Sequence, residues 1–569
     1  MTCAFAKVLI WVPIVSHAQD VEQIAKEDPV KVSGGLSVNT TAYTASGIEN
    51  RRDPFFWQIN SNLNFDILGI IQAPFSLSIS QQNKNFAQAQ PFNRFGISPK
   101  YKWLTLHLGH RSMRFSDYTL AGNLFLGAGV DVNKKDSFVR FSAMWGRFAK
   151  PVNRTAQSGL VFARPTFRRT GWGFKVGLGR EKHNVDLILF TAKDDPNSIQ
   201  ITDTLEISPE ENAVFGIVTT NEITDRISFE AEFAHSLFTR DATSPTVTLQ
   251  QYSFVNNFGG LFEPNSTSEF NNAFRSAMTY AGQGYQLNIG YKRVDPGFRT
   301  LGSSFLNNDL EDITAGAGWN MFSGKVNMAL NGGVQRNNLD DQLLSRVRRI
   351  IYSTSVNYAV SERLNVASNY ANFSTTTRQS QLRRELLADS LEYFQVTRSG
   401  GVNLNYQTNG ELVSHNLFLN TNIQDATDSE DNSSTFYNLT GGHQVRIAQD
   451  WGLTTSYTMN HNKTAGITNV TTGPILAVNR SLLQGKIRTT LSTSLLNAYM
   501  AGDLESRIVN VRWVNNLQVG KSHNFSLSSY YLNRDLQGED PRTISELRVS
   551  MNYGYRFNKS FGKGKNEDE

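Results

Sequence analysis

The chain has 569 residues, 39% hydrophobic and 11% aromatic, with Lys+Arg 55 against Asp+Glu 50 and a net charge of +5. Beyond the N-terminus no run of about 18 apolar residues occurs, which excludes membrane-spanning helices. The charges are too balanced and too scattered to point to a nucleic-acid partner.

Met1 to Ala18 reads as a secretory signal peptide, with Lys7 ahead of the apolar Val8–Val15 and Ser16-His17-Ala18 at the cleavage positions. The only cysteine, Cys3, falls inside it, so the mature chain is expected to have no disulfide, thiolate catalysis or Cys-ligated metal. Residues 19–30 are expected to be a short periplasmic segment, too small for an N-terminal plug domain.

From Phe55 the residues alternate: Trp57, Ile59, Leu63, Phe65 and Ile67 on one face, Gln58, Asn60, Asn62, Asn64 and Asp66 on the other. A period of two is a β-strand. After Gly69 and Pro74 the pattern returns, with Phe75, Leu77 and Ile79 against Ser76, Ser78 and Ser80, giving a hairpin. The alternation continues through Phe92–Ile97, Tyr101–Arg111, Leu124–Val132 and onward to Thr543–Phe557. The count is about 26 strands, an even number within the range of transmembrane barrels. The expected fold is all-β: a transmembrane antiparallel up-and-down β-barrel over residues 31–557, with 558–569 a polar periplasmic tail.

Short turns such as Ser98-Pro99-Lys100, Gln283, Ser361-Glu362 and Gly520-Lys521-Ser522 alternate with loops such as Pro151–Arg169, Asp194–Glu211, Phe238–Asn271, Asp295–Glu311 and Ser374–Tyr393. Short turns and both termini are assigned to the periplasm and long loops to the outside, with the barrel in the cell outer membrane of a Gram-negative bacterium. Tyr43, Trp57, Trp145, Trp172, Tyr280, Tyr291, Trp513 and Tyr555 are assigned to the apolar face near strand ends, as interfacial girdles. The last strand carries Tyr553, Tyr555 and Phe557 in the aromatic positions of an assembly signal, which implies the barrel-assembly machinery as a partner besides outer-membrane lipids.

The stretch Tyr291 to Gly302, followed by Asn307 to Asp312, resembles a recurring segment of uncharacterised large outer-membrane β-barrel proteins of Bacteroidota-type bacteria. Phe95-Gly96-Ile97-Ser98-Pro99-Lys100-Tyr101-Lys102-Trp103 and His107-Leu108-Gly109-His110-Arg111-Ser112 are similar to stretches of the same family. The resemblance implies an outer-membrane location and carries no catalytic or ligand-binding set with it.

Chemistry-bearing groups are sparse. His107, His110 and Ser112 lie close in sequence, but proximity in a serine-rich chain is weak support for a nucleophile and base, so no catalytic residue is assigned. Asp309, Glu311 and Asp312, and Asp425, Asp428, Glu430 and Asp431, offer oxygen ligands for calcium without a complete ligand loop, and read as solvated loop charge. No metal or cofactor is assigned. Arg140, Lys175, Asp186, Glu230, Glu232, Arg275, Lys292, Arg512, Arg548 and Arg556 alternate with apolar neighbours and are assigned to the lumen, where charge requires water or another protein.

A wall of this size needs a filler. The candidates are Phe238–Asn271, with Phe254, Phe258, Leu261, Phe262 and Phe270, and Ser374–Tyr393, where Leu382, Leu386, Leu387 and Leu391 have helical spacing; a separate plug or lipoprotein partner is the other option. The expected function is non-enzymatic and porin-like: a transport or export conduit, or the scaffold of an outer-membrane complex. An outer-membrane hydrolase and a surface adhesin are the alternatives.

Overall fold

The structure, a computed structural model, describes residues 29–81, 92–153, 165–180, 182–200, 207–248, 261–343, 345–379, 392–429, 432–448, 450–538 and 540–561. In chain order the strands are β1 Val30–Ser46, β2 Phe55–Ile67, β3 Ile71–Ser80, β4 Arg94–Ile97, β5 Lys100–Tyr101, β6 Leu104–Arg114, β7 Ala121–Val132, β8 Val139–Ala149 and β9 Arg168–Arg180. Next come β10 His183–Asp195, β11 Glu211–Thr224, β12 Ile227–Thr239, β13 Ser268–Ala281, β14 Tyr285–Val294, β15 Leu310–Met321, β16 Val326–Arg336, β17 Ser345–Ala359 and β18 Leu364–Gln379. The last are β19 Glu392–Asn409, β20 Val413–Asp428, β21 Ser433–Ile447, β22 Trp451–Thr464, β23 Ile467–Leu482, β24 Ile487–Met500, β25 Asp503–Val519, β26 His523–Leu536 and β27 Thr543–Phe561.

Each strand pairs antiparallel with its sequence neighbours, and β1 pairs with both β2 and β27, from Val30 opposite Phe561 to Ser46 opposite Ser545. The sheet is therefore closed, and no edge is left with unpaired N–H and C=O groups. β4 and β5 form one stave between β3 and β6. Pro99 and Pro74 interrupt its ladder because neither has an N–H to give, although Ser98 N still donates to Pro74 O at 2.9 Å. The wall thus has 26 staves. Ser98-Pro99-Lys100 lies within a stave instead of turning the chain; the turn is Lys102-Trp103, with Lys102 at φ +51°. β27 runs past Phe557 to Phe561, so the first four residues of the expected tail continue the strand.

The two faces are unlike. A cavity of about 880 Å³ spans β24 to β27 and β1 to β2, and its lining includes Asn60, Asn62, Arg488, Asn516, Asn552 and Arg556. A hollow across six adjacent staves lies on their concave side, so the polar residues face inward. The opposite face carries exposed Trp145, Leu187, Ile217, Ile289, Leu417, Leu491 and Met551. Seven of the eight girdle aromatics share that outward face by register; Tyr43 does not, since it sits opposite Arg548 and its hydroxyl donates to Glu546 at 2.9 Å. Tyr43 has the parity on β1 of Gly35, which stands opposite Asn62 and Arg556, so the register itself turns it inward.

The core is confined to one sector. Met113, Phe115, Leu120, Phe125, Met144, Phe148, Ile188, Phe190, Phe238 and Leu301 form one buried cluster, and Tyr118, Val214, Ala234, Ala273, Val294, Phe298 and Leu310 a second. Both lie against β6 to β15.

Candidate lumen site

Two connections at the long-loop end fold into this sector: residues 115–120, between β6 and β7, and residues 295–309, between β14 and β15. Their side chains meet inward residues of β7, β8, β10, β12 and β13, which is possible only from within the curve of the wall. Together they form an internal ledge.

A charged latch holds it. Arg275 on β13 donates from Nε to Glu232 of β12 at 2.8 Å and from Nη1 reaches Asp117 at 2.7 Å, while the other Glu232 oxygen accepts from Tyr118 N at 2.9 Å. The Glu232 side chain is 0% exposed, and burying it is tolerable because each of its oxygens accepts from a donor. Arg114 closes on Asp117 from the other side. Tyr118 packs edge-on against Phe298 with ring centres 5.9 Å apart. Burial first, and then the Glu232 carboxylate, pushes the Tyr118 phenol well above its ordinary value, and its hydroxyl has no partner among the described atoms.

The second connection is bound through its backbone. Asn212 Nδ2 donates to Ser236 Oγ and Leu237 O, both at 3.0 Å, and its Oδ1 accepts from Leu301 N at 3.1 Å. Ser236 Oγ donates to Arg299 O at 2.6 Å, Thr300 Oγ1 to Thr119 O at 2.7 Å, and Ala121 N to Gly302 O at 3.0 Å. A loop with its backbone polar groups satisfied by side chains of the wall is fixed rather than draped. Gly302 lies so close that a Cβ there would stand 2.4 Å from Thr119 O. Arg299 caps the Phe238 ring at 5.2 Å and faces Glu210 at 3.6 Å; Glu210 in turn accepts from Arg169, which grips Asp194 with two bonds of 2.8 Å.

Of the expected fillers, Phe262 and Phe270 are corrected here. Phe254, Phe258, Leu382, Leu386, Leu387 and Leu391 fall outside the described residues. Phe262 packs with Ala213, Leu237, Phe215 and Phe270, which share the parity of the outward Ile217, Phe233 and Phe274, so this part of the loop covers the outside of the rim. The ledge comes instead from Asp295–Asp309 and from 115–120, a connection with no strong turn signature.

The structure brings some of the ten assigned charges together and leaves others apart. Arg140 meets Asp186 at 3.0 Å and Lys175 stands 3.9 Å from the same carboxylate; Glu232 and Arg275 form the latch. Lys292 is in register with Arg275 and Asp312, and Glu230 with Thr220 and Ala277. Arg512 sits opposite Tyr530, and Arg548 lies over the Tyr530 ring at 5.7 Å. Arg556 lines the 880 Å³ cavity with Lys486, Arg488 and Lys521, and no carboxylate is among the lining residues. Tyr553, Tyr555 and Phe557 face outward, Tyr555 stacked on Phe557 at 5.4 Å. His107, His110 and Ser112 do not converge: His110 packs outward against Phe95 at 5.3 Å, while His107 points inward. Among the described residues no three His, Cys, Asp or Glu side chains are grouped to hold a metal; Asp309 instead accepts from the backbone of Asn338 and Leu339.

No family model and no curated protein matches the chain. Among solved structures it is similar to the P pilus usher (PapC) translocation pore, at 10% identity over 92% of this chain and 99% of that one, TM-score 0.26. It is also similar to Pseudomonas aeruginosa OpdQ, at 12% identity over 66% of this chain and 97% of that one, TM-score 0.32, and to a bacterial polysaccharide outer membrane secretin, at 10% identity over 51% and 91%, TM-score 0.25.

Proposed function

We propose that the protein is a large outer-membrane β-barrel that acts as a transport or export conduit, or as the scaffold of an outer-membrane complex, with a wet lumen narrowed on one side by the ledge. The observation that supports this most directly is the division of faces: large apolar side chains cover the outward surface, while charges and amides face a hollow interior in which, among the described residues, no buried hydrophobic cluster forms along β16 to β27. An outward apolar band of that kind suits acyl chains, and inward charge suits water or a bound partner. On this reading Arg140, Lys175, Asp186, Glu230, Glu232, Arg275, Lys292, Arg512, Arg548 and Arg556 are lumen groups, Tyr553, Tyr555 and Phe557 are read by the barrel-assembly machinery, and both termini are periplasmic. A plug or lipoprotein partner would occupy the open half.

Reconstitution in planar bilayers tests it. The intact barrel should conduct or co-purify with a stoichiometric partner, and removal of 298–306 should enlarge single-channel conductance. A partner-free barrel that stays silent with and without the ledge would remove the proposal.

A further inference from the structure

Two of the stretches singled out in the sequence, 95–103 and 107–112, run side by side on β4, β5 and β6, and their inward residues form a relay. Ser98 Oγ lies 3.0 Å from His107 Nδ1, and His107 Nε2 lies 2.9 Å from Asp131 Oδ2 on β7. Ser98 and His107 are opposite one another in the antiparallel ladder, Asp131 is one diagonal step further, and Ser142 of β8 also donates to that carboxylate. A carboxylate on Nε2 fixes the neutral imidazole with its proton there, which leaves the Nδ1 lone pair aimed at the serine hydroxyl. That is the division of roles in a serine nucleophile, its general base and the base's orienting acid.

The surroundings add a cation. Arg111 crosses over Gly96, where a Cβ would come within 2.8 Å of its Nε, and donates from Nη2 to Pro74 O at 3.0 Å. The same carbonyl accepts from Ser98 N at 2.9 Å, so the guanidinium, whose Nη1 donates to Ser76 Oγ at 3.0 Å, sits beside the serine. Pro74 and Pro99 flank Ser98 with backbone that gives up ladder bonds, as Pro474 also does within β23.

We propose that Ser98, His107, Asp131 and Arg111 form a serine-hydrolase site on the lumen wall, acting on carboxylic esters of water-soluble molecules that enter the barrel, not on bilayer lipid, since the site faces inward. Ser98 Oγ bonds to the acyl carbon as its proton passes to His107 Nδ1; Asp131 stabilises the imidazolium and Arg111 the oxyanion. The alcohol departs with the proton from His107, leaving acyl-Ser98. Water then attacks, yields its proton to His107, and the carboxylic acid leaves as Ser98 is re-protonated.

The experiment is labelling of the intact, detergent-folded barrel with a fluorophosphonate, read by peptide mass, with p-nitrophenyl acetate turnover alongside. The adduct should fall on Ser98, vanish in Ser98→Ala and His107→Gln, and form on the order of 10⁴-fold more slowly in Asp131→Asn. Heat-dependent gel migration checks folding of each variant. Where a variant does not fold, the unaltered protein decides the matter: the adduct should fall on the peptide that carries Ser98, and its formation should abolish p-nitrophenyl acetate turnover. No adduct, an adduct elsewhere, labelling of His107→Gln at the unaltered rate, or turnover that survives full labelling would overturn the proposal. None of these readouts depends on conductance, so this site and the conduit reading fail separately.

Discussion

The sector from β6 to β15 and the sector from β16 to β27 are built from the same zigzag strand, yet they differ in what the inward face touches. In the first, Phe125, Phe148, Phe190, Val214 and Val294 are essentially enclosed, and the tilted and edge-on ring pairs Phe125 with Phe148 and Phe148 with Phe190 sit 6.0 and 5.7 Å apart. In the second, no buried hydrophobic cluster forms among the described residues, and inward neighbours are amides and hydroxyls such as Asn510, Ser494 and Tyr530. A wall needs only ladder bonds and an outward apolar surface to stand. A fixed ledge needs a dry core of its own. Stability at an inward residue should therefore depend on its sector far more than on its type.

Paired substitutions test this, the largest effect first. Glu232→Ala leaves the Tyr118 N–H without its acceptor and takes one of two carboxylates from Arg275, which is 40% exposed and keeps Asp117, and should cost about 3 kcal/mol. Glu505→Ala removes the partner of Arg534, a 3.1 Å pair whose side chains are 40% and 36% exposed, and should cost no more than about 1 kcal/mol. Thermal unfolding in one detergent, followed by gel migration, compares them; equal losses would erase the distinction. Phe190→Ala should likewise cost about 3–5 kcal/mol through the cavity it opens, whereas Tyr530→Ala, on the inward face of β26 with its hydroxyl donating to Asn510 at 2.9 Å, should cost about 1 kcal/mol. Gly302→Ala, which forces a methyl group toward Thr119 O, should cost about 1–3 kcal/mol and raise amide exchange in 298–303 before the wall loosens.

The wall was legible because most staves obey a period of two. Trp57, Ile59 and Leu63 against Gln58, Asn60 and Asn62 already state the rule, and the later strands repeat it with errors only at their ends. The error at Ser98-Pro99-Lys100 has a physical source: proline and serine favour a turn, but closure of the sheet on both sides overrides that preference. The ledge was harder to see. Its signal lay in breaks of the rule, above all Leu187-Ile188-Leu189-Phe190 on β10, where apolar residues occupy both parities. Such a run marks a strand whose inward side chains, here Ile188 and Phe190, are packed against protein instead of facing water, while Leu187 stays exposed on the outward face. Phe298 and Leu301 within a Pro/Gly loop point the same way, while the link from Ser98 through His107 of β6 to Asp131 of β7 had no signature in linear sequence.

The smallest effect concerns the rim beyond β12, where 241–248 turns back toward Asn265. Asp241 accepts from Thr243 Oγ1 at 2.6 Å, from Thr243 N at 3.0 Å and from Ser244 Oγ at 3.2 Å. The Thr243 hydroxyl first, then the Thr243 N–H and Ser244, hold the Asp241 carboxyl below the ordinary carboxylate range against a smaller opposing push from desolvation. A carboxyl lowered on folding stabilises the turn above its unfolded value of about 3.9, and that contribution fades only as pH falls through the lower, folded value. Protection of the Thr243 amide, corrected for intrinsic exchange, should hold from pH 7 to about pH 4 and decline below it. In Asp241→Asn it should be weaker and insensitive to acid over that span. Because the furnished sector's latch lies deeper and on separate residues, amides at 298–303 should not follow the rim through this change.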